Sequence, residues 1–197
     1  LMPAARFGRA EVAAFSGHPD KRMQEDYESV IKGVTSDQST QRPELLTAAA
    51  VHSSLIHQYS LYQAARQYRT ALMFLTLAHQ IKDRDVSGMT LRDAVTQEAL
   101  ADELAQTYRQ TPATQPARAA LWNEILSYYQ QAADAYYQYS HLSALQDPVA
   151  RESLWKAAQL YDRAGLARRA ITAYSEFMRQ WPKEPRVPEA LHAIGLL

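Results

Sequence analysis

Between its scattered breakers the chain places apolar residues three and four apart, the spacing of one face of an α-helix, and nowhere shows the strict alternation of a half-buried strand. The pattern predicts a helix from Pro3 to Phe15, stopping before Gly17, and a second from Asp20 to Lys32, stopping at Gly33. The polar stretch from Thr35 to Gln41 reads as a loop or linker. From Pro43 to about Lys82 little would break a helix, so this stretch is one long helix or two joined by a tight turn near Ala64 to Gln67. Thr90, with Asp93 three residues on, approximates a capping box for a helix ending near Gln110, before Pro112. Pro116 opens another, Ala117 to about Leu145, with a buried stripe at Leu121, Ile125, Tyr129, Ala132, Tyr136 and Ser140. Asp147-Pro148 is a clear helix start, because Asp accepts bonds from unpaired helix amides while Pro has no amide to leave unpaired.

The stretch from Arg151 to Pro182 reads as a helix, a short turn and a second helix. The first packs through Leu154, Ala158 and Tyr161, Gly165 supplies the turn, and the second packs back through Ala170, Tyr174 and Phe177 before Pro182 ends it. Small residues at Ala158 and Ala170 let the two backbones approach while the tyrosines fill the flanking space. From Pro188 the pattern restarts, Leu191 matching Leu154 and Gly195 matching Ala158.

This order resembles the tetratricopeptide repeat, whose signature sets a small residue, an aromatic three on, an Ala nine further, an aromatic four beyond and a closing Pro. Ala158, Tyr161, Ala170, Tyr174 and Pro182 occupy those places, while Phe177 departs from the usual small residue. The period is three residues longer than the usual one of about 34, and the lengthened linker around Trp181 to Leu191 is similar to that of bacterial envelope repeat proteins. Fainter echoes lie upstream: Leu61-Tyr62 followed by Ala71, Arg109 to Pro112 beside Arg179 to Pro182, and Gly8-Arg9-Ala10 with Phe15. One hairpin cannot bury its own apolar face, so the resemblance implies an all-α fold of helical hairpins stacked as an α-solenoid, degenerate in its N-terminal part. The expected division is 1–42 (N-terminal helices and linker), 43–112 (degenerate hairpins) and 113–197 (the repeat-like region, cut short at its end).

Composition narrows the chemistry. Gly is sparse, at 6, which favours long helices over turn-dense sandwiches. Lys plus Arg and Asp plus Glu are 21 each, so the molecular field gives no reason to expect nucleic acid or an anionic membrane as partner. The absence of Cys excludes disulfides, thiolate catalysis and Cys-ligated zinc and leaves the compartment open. Apolar stretches break well before the roughly 18 residues of a membrane span. Leu1-Met2-Pro3 shows no signal peptide, and the end at Leu197 stops partway through a helix, which suggests a fragment of a longer array.

No Gly-x-Ser-x-Gly, His-Glu-x-x-His or Gly-rich phosphate loop occurs, so neither catalytic residue, metal ligand nor cofactor is expected. His52 and His57 share a helix face poorly, and His79 near Asp83 and Asp85 reads as a polar helix end before it reads as a weak metal site. Arg168-Arg169 reads as a solvated helix start. Among the clustered tyrosines, Tyr129 and Tyr136 read as packing between hairpins, whereas Tyr128 and Tyr139 fall off that stripe and could face a ligand.

The resemblance places the partner groove along the first helix of each hairpin, at Glu152, Trp155, Gln159, Asp162 and Arg163. Trp155 is either an exposed hot spot at its centre or a packing residue. Trp155 and Gln159 stand where a carboxylate-gripping clamp would need Lys and Asn, which disfavours a chaperone-tail clamp. The expectation is a non-catalytic scaffold binding a protein or peptide, periplasmic or outer-membrane associated, with the cytoplasm as the alternative compartment. The alternative function is a superhelical module of a cell-wall lytic or polysaccharide-export enzyme whose catalytic domain lies outside the chain; a self-associating helix bundle is a third class.

Overall fold

The computed structural model describes residues 3–17, 19–36, 46–81, 85–113, 115–144 and 146–197. Among these the chain is all-helical: α1 (Pro3–Phe15), α2 (Lys21–Thr35), α3 (Ala48–Ala64), α4 (Tyr68–His79), α5 (Val86–Gln110), α6 (Ala117–Leu142), α7 (Pro148–Arg163), α8 (Ala167–Gln180) and α9 (Val187–Leu196). They gather into two compact units, residues 1–84 and 85–197. The grouping therefore differs from the three stretches read from the sequence, because α4 packs back on α3 and α5 on α6, which puts the division between α4 and α5.

Local chemistry explains several helix starts. The carboxylate of Asp20 accepts from the Met23 amide at 2.7 Å, that of Asp85 from Gly88 at 2.9 Å, and that of Asp147 from Val149 at 2.8 Å, each satisfying an amide with no partner within the helix. Thr90 does not cap α5. It lies inside the helix, where its hydroxyl donates to the Val86 carbonyl at 2.8 Å, and Asp85 does the capping. Gly33 does not stop α2 either: Val30, Ile31 and Val34 are buried, and this packing outweighs the roughly 1 kcal/mol by which glycine disfavours a helix. Most of the loop expected at Thr35 to Gln41 lies outside the described residues, Thr35 itself ending α2.

The turn expected near Ala64 to Gln67 is present, and its backbone matches the turn after α7. At both, the residue just past the helix has positive φ, +59° at Arg66 and +73° at Gly165. The amides that follow close the same pair of bonds: Arg66 to Gln63 and Gln67 to Tyr62 in one, Gly165 to Asp162 and Leu166 to Tyr161 in the other. Tyr62 and Tyr161 thus hold the same position relative to their turns, and both are buried.

In the first unit, α1 and α2 are antiparallel, since Arg6 pairs with Ser29 and Arg9 with Asp26 as the numbers rise along one helix and fall along the other. The Glu11 carboxylate accepts the hydroxyls of Tyr27 on α2 and Ser54 on α3, so a single side chain of α1 ties two helices. Tyr27 and Phe74 are both 0% exposed and meet edge to face, while Tyr62 stacks on Phe74 and donates to the Ala14 carbonyl at 2.8 Å.

In the second unit α5, α6, α7 and α8 alternate in direction. Glu98–Tyr136 and Asp102–Tyr129 join α5 to α6, and Asp134–Tyr161 joins α6 to α7. Partners two helices apart rise together: Glu98–Lys156 and Asp102–Arg163 from α5 to α7, Asp134–Arg169 and His141–Glu176 from α6 to α8. Alanines 94, 101, 132, 133, 157, 158, 170 and 173 are fully buried at these contacts, where a larger side chain would hold the backbones apart.

Two predictions follow from this packing. Gly165 has open space where a Cβ would stand, so Gly165→Ala meets strain and no clash, and should cost about 1 kcal/mol in urea unfolding, whereas Arg66→Gly, removing the same strain, should gain roughly 0.5 kcal/mol. The second concerns Asp26, whose carboxyl is held below the ordinary 3.8, chiefly by its bond from Arg9 and against the opposing effect of burial. Its ionised form stabilises the fold above that range, and the contribution is lost as pH falls through the lowered value. Asp26→Asn should therefore lower the urea midpoint at neutral pH, with the gap to the wild type closing in strong acid.

Candidate functional site

A buried tyrosine brings a hydroxyl that must find a partner, and the second unit solves this repeatedly in one way. The Tyr129 hydroxyl donates to Asp102 at 2.8 Å, with the Arg163 guanidinium 3.6 Å from the same carboxylate. Tyr161 donates to Asp134 at 2.6 Å, with Arg169 at 2.9 Å. Tyr136 donates to Glu98 at 2.6 Å, with Lys156 at 2.8 Å. Tyr137 donates to Glu176 at 2.8 Å, beside His141 and Arg179. In the first three the cation also lies over the face of the tyrosine ring, between 5.1 and 5.8 Å from its centre.

Beside the first of these clusters the surface opens. Tyr108, in the last turn of α5, lies 5.1 Å from Trp122, near the start of α6, ring centre to ring centre. Arg118 covers the other end of the pair, its guanidinium 4.4 Å from the Tyr108 ring, and donates to the Thr111 carbonyl at 3.1 Å across the connection. Trp122 remains 42% exposed. The groove here encloses about 630 Å³, within the range of ligand sites, and is lined by Asp102, Tyr108, Arg109, Trp122, Tyr129 and Arg163 among others.

Of the residues expected to bind a partner, only Arg163 reaches this groove. Trp155 is 4% exposed and is no exposed hot spot: its ring packs 5.4 Å from Tyr174 and 5.1 Å from Phe177 on α8, and the Arg186 guanidinium covers it at 5.0 Å. Glu152 is exposed but pairs with that same Arg186 at 2.8 Å, holding the cover in place. Tyr139, expected to face a ligand, is buried and donates to the capping Asp147 at 3.2 Å. Tyr128 is half-buried against the core and Gln159 half-buried, while Asp162 is exposed. Tyr129 and Tyr136 pack between helices as expected. Leu121 is only partly buried on the expected stripe. Arg168 and Arg169 are exposed at the start of α8 as expected, and Arg169 also pairs with Asp134.

Sequence reasoning missed Tyr108 and Trp122. The available signal was an aromatic on each side of the Pro112 to Pro116 connection, at the distance a hairpin brings together. Among the described residues no group of three or more His, Asp or Glu side chains could hold a metal ion, and Asp83 lies outside them. No described helix is long and apolar enough to cross a membrane. In comparisons with known proteins the chain matches no family model, and no curated protein is significantly similar to it.

Burial, then the bond to Asp102, pushes the Tyr129 hydroxyl up to about 12, and burial with the charges of Asp162 and Glu189 pushes Tyr174 up to about 12. Burial raises Tyr136 and Tyr161 as well. In the unfolded chain these groups ionise near 10, before they do in the fold, so folded stability is full below that pH and declines as pH rises toward 12. Absorbance of phenolate should appear late for these side chains, together with unfolding, and Tyr129→Phe should make the alkaline decline of the urea midpoint shallower.

Proposed function

We propose that the chain is a non-catalytic protein-interaction scaffold whose helical hairpins stack in the manner of tetratricopeptide repeats and bind a segment of a partner protein along the α5–α7 face. The observation that carries this is the exposed Trp122 on Tyr108, set in a groove beside the conformationally tied Arg163. A half-exposed aromatic set against a ring neighbour that a guanidinium covers offers large apolar area at little entropic cost to a partner. Two features support the stacked arrangement: antiparallel pairing of successive helices with parallel ion pairs two helices apart, and the shared turn geometry after α3 and α7. The envelope setting rests on the lengthened linker between α8 and α9 alone.

Trp122 replaces Trp155 as the anchor. Trp122→Ala should weaken capture of the partner from the native source at least about tenfold while leaving the helical circular dichroism and the unfolding midpoint nearly unchanged. Trp155→Ala, by contrast, empties a buried site under Arg186 and should cost about 3–5 kcal/mol of stability. Unaltered capture by a folded Trp122→Ala chain would remove the groove from the proposal.

A further inference from the structure

Resting on that scaffold reading, we infer that the α5–α6–α7 groove takes an acidic segment of a partner protein, one that sets an aromatic or large aliphatic side chain on Trp122 and carboxylates against Arg109 and Arg163. The charges in and around the groove are unequal. Arg109 and Arg163 line it, and Arg118 lies over its Tyr108 wall. The single lining carboxylate, Asp102, is already engaged by the Tyr129 hydroxyl and Arg163. Arg109 is exposed and has no ion-pair partner among the described residues. Two guanidiniums lining the groove and a third over its Tyr108 wall, of which only Arg163 has an ion-pair partner among the described residues, favour a chain that brings its own carboxylates.

Cations beside exposed aromatic rings also suit single-stranded nucleic acid, and two features weigh against it. Asp102 sits in the lining, where a phosphate would be repelled, and the whole chain has a formal net charge of +0, which supplies no steering for a polyanion. A peptide with isolated carboxylates beside an apolar anchor meets the same guanidiniums without crowding Asp102.

The test is selection of a phage-displayed random dodecapeptide library on the intact 197-residue chain, with the enriched peptides then synthesised and titrated. Asp or Glu adjacent to Phe, Trp or Leu should dominate the enriched sequences. Arg109→Glu, at an exposed site that leaves the core untouched, should weaken such a peptide by about tenfold or more, and a peptide with Lys in place of its acidic residues should regain affinity for that variant. Enrichment of basic or uncharged peptides, or acidic peptides that bind Arg109→Glu as well as wild type, would overturn the inference while leaving the scaffold reading intact if Trp122→Ala still abolishes binding. No enrichment at all would overturn both. So would a labelled oligothymidylate that binds more tightly than any selected peptide and is lost with Arg109→Glu.

Discussion

The second unit depends on a constraint that every buried tyrosine imposes: a ring wide enough to fill the space between helices carries a hydroxyl that cannot be left without a partner. The hydroxyls of Tyr129, Tyr136, Tyr137 and Tyr161 each donate to a carboxylate on another helix, and a cation pairs with that carboxylate. Asp102–Tyr129 and Asp134–Tyr161 share one separation, 27 residues, so consecutive helix pairs are set in the same register by the same bond. A hydrogen bond to a charged group contributes about 1.5–3 kcal/mol, against about 0–1 kcal/mol for an exposed ion pair. Arg163 and Asp102 are each about half exposed, so their pairing across α5 and α7 is the weaker partner and the tyrosine bond sets the register.

The same constraint decides where a binding surface can form. Buried alanines bring the helices close, and tyrosines, carboxylates and cations then close the seams between them. Trp155 lies at a seam that α8 and the start of α9 close completely, with Arg186 held over it by Glu152 and Glu184. Tyr108 and Trp122 lie at the connecting end of the α5–α6 hairpin, where Arg118 covers Tyr108 and Trp122 stays 42% exposed.

This explains which parts of the structure were legible in the chain. Features set within one helix or one turn read correctly: the Asp147 cap, the turn between Ala64 and Gln67, the stripe from Ile125 to Ser140, and the small-aromatic alternation of α7 and α8. Features set by a neighbour did not. Gly33 continues a helix because Val34 is wanted in the core, and Thr90 is internal because Asp85 reached the end first. Of the two readings open for Trp155 the packing one holds, and the sequence could not choose between them because its cover, Arg186, is far along the chain and belongs to no helix face that periodicity describes. Tyr139 was misplaced for a similar reason, its hydroxyl being taken by the cap of the next helix. Tyr108 and Trp122 carry no motif of their own, and only the closing of the hairpin makes them a pair.

Degeneracy of sequence and degeneracy of structure also part company here. After α3 the chain turns on an arginine, after α7 on a glycine, yet both turns use a left-handed residue and the same two amide bonds back to the helix. An arginine accepts that strained conformation only where the surroundings compel it, since its cost is about 1–2 kcal/mol. What compels it is the return of α4, which must bring Phe74 against Tyr62 and Tyr27, a contact of three aromatic rings that are almost wholly buried. Tyrosines four residues before the left-handed turn residue and small residues five beyond it, Ala71 and Ala170, are what the two hairpins retain. The turn residue itself is therefore the least informative position for finding such hairpins, and the tyrosine-to-alanine spacing across it the most.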